Sequence, residues 1–140
     1  MKNLTKIISV IITSVFLLAS FSTGAFAGKK ILFSIKGPGS GNPFWASVEK
    51  GAKEEAAKLG VDLVLVAPPQ EGDVQAQINQ VEDQLAKGVD AIALAPGDPN
   101  AFATIVDDAI KSGVAVVFWD TKGINAGEPF IRTNVRKGAE

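Results

Sequence analysis

The sequence predicts an α/β fold built on a doubly wound parallel sheet. Three observations carry this. Four short apolar runs, at 31–35, 61–67, 90–95 and 114–119, are rich in Val, Ile and Leu and do not alternate cleanly with polar residues, the pattern of strands buried on both faces. Segments with helical apolar spacing lie between them. Three of these segments stop in one phrasing, Lys58-Leu59-Gly60-Val61, Ala86-Lys87-Gly88-Val89 and Lys111-Ser112-Gly113-Val114: a basic residue in the last turn, a glycine, then a valine entering a strand.

In chain order, the strand at 31–35 leads through "GPGSG" into a helix over 43–59. Asn42 is its N-cap, Pro43 its first residue and Gly60 its C′ residue. Phe44, Val48, Ala52, Ala56 and Leu59 share one face, which predicts that Phe44 points to the core. Trp45, about 100° further round, is then turned off that stripe at the first turn, onto the ligand rim. After the strand at 61–67, a helix over 74–87 follows, capped by Asp73, with Val74, Ile78, Val81 and Leu85 on its stripe. The strand at 90–95 precedes a helix over 99–112, capped by Asp98, with Phe102, Ile105, Val106, Ala109 and Ile110 inward. The strand at 114–119 and a weaker one at 130–133, after the loop 123–127, complete the series. Right-handed crossovers wind such a chain into one sheet. Four segments, 36–45, 67–73, 95–99 and 119–127, then converge at the carboxyl ends of the strands, where ligands bind in such sheets.

The N-terminus reads as an export signal. Lys2 and Lys6 precede an apolar core over 7–21, and Ala25-Phe26-Ala27 has the small-x-small form of a cleavage site. The apolar run is short for a bilayer span. The mature chain then begins at Gly28, with 12 basic and 15 acidic residues and a net charge of −3, which argues against nucleic acid and anionic membrane as partners. The absence of Cys and His removes lipid attachment at a cysteine, disulfides, thiol chemistry and the usual zinc and triad constellations. No cofactor or metal is expected.

"GPGSGNPFWASV" at 37–48 is the densest candidate site. Its glycines fall as G-x-G-x-G, and the second strand ends in Ala67-Pro68-Pro69 rather than an acid, so it matches neither a dinucleotide fingerprint nor a phosphate loop. Two aromatics beside Asn42 suit apolar C–H faces instead. Asp120, at the end of the fourth strand, is an acceptor for hydroxyls, and Asn42 and Lys36 supply donors. Apolar plates with a few placed polar groups describe a sugar site. The plainer alternatives are an aromatic pair packed on the loop 67–73 and a turn aspartate.

"NPFWASVEKGAKEEAAKLGVDLVLV", "EGDVQAQINQVEDQLAKGVDAIALAP" and "SGVAVVFWDT" resemble the periplasmic sugar-binding proteins of the ribose-binding type, the solute receptors of ABC importers. The "NPFW" and "P-x-E-G-D-x-Q-x-Q" phrasing is most similar to the D-allose/D-psicose-binding members. The resemblance implies two α/β lobes of the type I periplasmic binding fold, hinged about a bound sugar. It implies Asn42, Phe44 and Trp45 as contacts from the first helix, Asp120 as hydroxyl acceptor and Lys36 as a contact from the first strand. The loop from Lys36 to Asn42 is two residues longer than in the allose type. Thr121 stands where ribose-type members carry Arg. "FIRTN" matches the first hinge crossing and adds Asn134 to the candidate set.

The organisation expected is a signal peptide over 1–27, an incomplete N-terminal sugar-binding lobe over 28–134 and the start of a second lobe over 135–140, the remainder of that lobe missing. The function expected is delivery of an allose-, psicose- or ribose-like monosaccharide, in the periplasm, to an ABC importer permease. The receptor is expected to be a monomer without catalysis. The alternatives are a receptor for a non-sugar solute, a carrier presenting its ligand to a chemoreceptor, and an exported sugar-modifying enzyme. The last needs a second catalytic carboxylate on the rim.

Overall fold

The computed structural model describes residues 28–125 and 127–132. The expected signal peptide, Thr133, Asn134 and the segment 135–140 lie outside the described residues. The elements are β1 (Lys30–Ser34), α1 (Pro43–Leu59), β2 (Asp62–Val66), α2 (Val74–Ala86), β3 (Ala91–Leu94), α3 (Ala103–Lys111), β4 (Ala115–Trp119) and β5 (Phe130–Ile131).

All strand pairs are parallel, in the order β2-β1-β3-β4-β5. The chain steps outward from β1 to β2, crosses back to β3, then continues outward. With right-handed crossovers, α1 covers one face of the sheet and α2 and α3 cover the other. Burial follows this division. Leu32, Ile92, Leu94, Val116 and Phe118 point toward α2 and α3 and form the core with Val81, Phe102, Val106 and Ala109. Their neighbours Ile31, Phe33, Ala93, Val117 and Trp119 face the α1 side and are half-buried.

The helix ends follow from local chemistry. Asn42 sits in an extended conformation and its side chain accepts the N–H of Phe44, with Pro43 at the first turn. Gly60 adopts φ 68°, in the left-handed region, and its N–H returns to the carbonyl of Ala56. Asp73 accepts the N–H of Ala76 at 3.0 Å and starts α2. The third helix departs from expectation. Asp98 takes the N–H of Asn100 at 2.8 Å, so it caps a separate turn, and α3 begins only after Phe102. That extra turn lowers Phe102 into the core, where it is 1% exposed.

The first turn of α1 reverses another expectation. Phe44 is 51% exposed, whereas Trp45 is 2% exposed. Helical periodicity assigns the first turn to the stripe that runs further along α1. At the rim, however, the larger ring turns under the loop 36–41 and meets Trp119 from β4 edge-on, at 6.0 Å between centroids. That partner belongs to tertiary structure and is invisible to the helix's own spacing. Leu59, also assigned to the stripe, is exposed at the last turn of the helix.

Candidate functional site

The rim begins where β1 ends. Ile35 still bonds through its N–H to the carbonyl of Val66 at 3.1 Å, and Lys36 is the first side chain free of the sheet. Its ammonium lies 2.7 Å from Asp120 Oδ2 and donates to Thr121 Oγ1 at 2.8 Å. It also stands 5.8 Å from the centre of the Trp45 ring, within cation–π range. The longer loop therefore leaves Lys36 beside Asp120, Thr121 and Trp45. Asp120 has φ 57°, a left-handed backbone that costs a residue with a Cβ about 1 kcal/mol. Its N–H bonds to the carbonyl of Ile131 at 3.1 Å, so pairing with β5 holds the turn and directs the carboxylate toward Lys36.

The aromatic residues form one continuous series. Phe44 meets Trp45 edge-to-face at 4.7 Å, Trp45 meets Trp119, and Trp119 stacks on Phe33 at 4.8 Å with 23° between the rings. The indole N–H groups of both Trp45 and Trp119 are buried and have no hydrogen-bond partner among the described residues. Phe44 alone presents a large open face.

The glycine loop is shaped by these neighbours. A Cβ on Gly37 would fall 2.8 Å from Glu71 Cβ and 3.0 Å from Trp45 Nε1, so the close approach of the β2–α2 loop requires glycine here. Gly39 donates its N–H to Glu49 Oε1 at 2.8 Å, which clips the loop to α1. Across the top, Asn42 Nδ2 donates to Glu71 Oε2 at 3.2 Å.

Beneath the rim, Gln77 of α2 is 1% exposed. Its Nε2 donates to Ser34 Oγ at 3.0 Å and to the carbonyl of Ala95 at 2.8 Å, and its Oε1 accepts the N–H of Gly97 at 2.9 Å. One turn on, Gln80 donates to the carbonyl of Ala67 at 2.8 Å. Two glutamines thus bracket the ends of β1, β2 and β3.

Of the expected contacts, Lys36, Asn42, Phe44, Trp45 and Asp120 share this rim, and Asn134 lies outside the described residues. Of the four converging segments, 36–45, 67–73 and 119–121 meet directly, and 95–97 joins through Gln77. Asn125 turns away, donating to Ala103 O and Asp107 Oδ1. Sequence reasoning missed Glu71, Phe33 and Trp119 and gave Thr121 no role in the site's geometry. Trp119, directly before Asp120, and Glu71, on a loop already assigned to the rim, were the available signals. A groove between α2 and α3, lined by Leu85, Ile105, Ala109 and Val114, gathers none of these groups.

The aromatic and polar groups gathered beyond the carboxyl ends of the strands lie where doubly wound α/β folds bind their ligands. The sequence profile of the periplasmic binding protein domain matches residues 33–134. The chain is 38% identical over 101 residues to the D-allose-binding periplasmic protein of Escherichia coli K12, covering 72% of this chain and 32% of that protein. It is 37% identical over 125 residues to the ribose import binding protein RbsB of Bacillus subtilis 168, covering 82% and 40%. An ABC transporter solute binding protein from Burkholderia multivorans superposes with a TM-score of 0.69 at 31% identity, covering 81% of this chain and 42% of that one. The chain belongs to the periplasmic binding protein domain family. It spans 32% and 40% of the length of the two curated relatives.

Proposed function

We propose that this chain supplies the first lobe of a receptor that binds a monosaccharide outside the cytoplasm and delivers it to an ABC importer. One observation carries the reading. The exposed face of Phe44 stands on the same rim as Asn42 and the Lys36–Asp120 pair, so an apolar plate adjoins both donors and acceptors. The names of the E. coli and B. subtilis relatives, which specify D-allose and ribose, support this ligand class.

The chemistry follows from what each group has left to offer. Lys36 donates one N–H to Thr121 and sets its charge against Asp120, which leaves its ammonium with donor capacity for a ligand. Asp120 keeps Oδ1. A neutral vicinal diol can accept from the first and donate to the second, with the pair's charges already matched. Phe44 covers the C–H face of the sugar ring. Trp45 contributes from below, as the support for Phe44 and the floor of the site, rather than as a second open plate. Asn134 is a further ligand contact in this reading.

In this reading residues 1–27 direct export, 28–134 form the lobe and 135–140 begin the next one. Closure of two lobes over the sugar yields the form that the permease recognises. The receptor works as a monomer, performs no chemistry on its cargo, and its closed form also suits presentation to a chemoreceptor. Calorimetric titration of the protein with D-allose, D-ribose and an uncharged non-sugar polyol tests this. Saturable binding of one sugar, abolished in Asp120→Ala, is expected; equal indifference to all three overturns the sugar reading.

A further inference from the structure

We propose that Glu71 is a positioning residue for ligand recognition, holding the Asn42 amide so that its one spare N–H faces the cleft. This rests on the receptor reading above.

Asn42 performs two tasks with one planar amide. Its Oδ1 accepts the N–H of Phe44 at 2.9 Å and so caps α1. That fixes which end of the amide is oxygen: Nδ2 must carry the two hydrogens toward the rim. One of them goes to Glu71 Oε2. The second is the one side-chain donor Asn42 has left for a ligand. An amide held at Oδ1 alone can still rock about its Cβ–Cγ bond, whereas one held at both ends cannot. A carboxylate acceptor also makes this bond charge-assisted and stronger than a neutral one. Polarising the amide in turn strengthens Oδ1 as the cap of the helix that carries Phe44.

Three further observations show that the clasp is built. Gly37 lies under Glu71, and any Cβ there would collide with Glu71 Cβ. Gly72 follows with φ 91°, a left-handed turn that suits glycine and brings Glu71 back over the neighbouring loop. Finally, Glu71 makes none of the ion pairs found among the described residues, so its acceptor is available to the amide. Asp120, the other rim carboxylate, is already engaged by Lys36.

The test compares Glu71→Ala, which removes the acceptor, with Glu71→Gln, which keeps an acceptor oxygen without the charge. Two readouts are taken on the intact protein: affinity for D-allose and for D-ribose by calorimetry, and the amide NMR signals of Asn42 Nδ2 and Phe44 N–H without ligand. Glu71→Ala is expected to weaken the better sugar about tenfold, to shift the Asn42 side-chain signals and to speed exchange of the Phe44 amide. Glu71→Gln is expected to restore most of the affinity and the wild-type signals. Unchanged affinity and unchanged Asn42 signals in Glu71→Ala overturn the proposal. Equal loss in both variants with wild-type Asn42 signals overturns it too, because the charge then acts on the ligand without aligning the amide. If the wild type binds neither sugar, the receptor reading fails, and the ligand-free signals alone decide whether Glu71 orients Asn42.

Discussion

The ammonium of Lys36 and the carboxylate of Asp120 meet at 2.7 Å, joining the loop after β1 to the turn after β4. Both side chains are partly open to solvent, so the bond is a modest source of stability. A double-mutant cycle with Lys36→Met and Asp120→Asn is expected to give a coupling energy of about 1 kcal/mol in urea unfolding, decreasing with added salt. The same cycle read by sugar affinity should give a larger coupling, because each residue then loses both its partner and its ligand contact.

The left-handed backbone at Asp120 separates conformation from chemistry. Asp120→Gly and Asp120→Ala both remove the carboxylate and both are expected to abolish binding. Only the alanine keeps a Cβ in that conformation, so the glycine variant should be the more stable of the two by about 1 kcal/mol. Paired thermal melts measure the difference.

Phe44 and Trp45 are expected to respond in opposite ways. Phe44→Ala removes a ring that is already half in water, so it should leave the unfolding midpoint nearly unchanged while weakening sugar binding. Trp45→Ala empties a buried position and should cost about 3–5 kcal/mol. Unfolding curves beside binding curves distinguish the two roles.

Gln77→Leu keeps approximate shape but strips partners from Ser34 Oγ, the carbonyl of Ala95 and the N–H of Gly97. Orphaned buried groups of this kind should together cost about 2–4 kcal/mol. Faster amide exchange at Gly97 would locate the loss.

At the opposite end of the sheet, Asp90 accepts from Lys29 Nζ and from the N–H of Lys30, each at 2.8 Å. These bonds, the Lys29 side chain first, hold its carboxyl below its ordinary value. A carboxyl lowered by folding stabilises the fold above its unfolded pKa, about 3.9, and loses that contribution as pH falls toward the folded value. Asp90→Asn is therefore expected to forfeit that contribution at neutral pH and to flatten the acid limb of the stability profile below about pH 4.

Much of this was legible in the residues because it was local. Asn42, Pro43 and Gly60 delimit α1 through their own backbone chemistry, and apolar runs between glycines are sufficient to define parallel strands. Asp120 was legible as the last residue of such a run. What escaped was set by contacts between distant segments. Trp45 is inward because Trp119 and Gly37 receive it, and no helical period encodes that. Asp98 lies on the rim side of a turn whose length depends on where Phe102 finds the core. Glu71 looked like one more polar loop residue until folding set it above Gly37.

Gln77 has a consequence for how such a rim can diversify. Its bonds reach the ends of β1 and β3 from the far layer of the sheet, and Gln80 does the same for β2, so part of the frame of the loops is held independently of the side chains that face the cleft. Residues such as Phe44 and Thr121 can then be exchanged over generations without dismantling the platform that carries them. A chassis fastened from below leaves its upper fittings interchangeable, and a lineage that keeps these two glutamines retains the freedom to change its cargo.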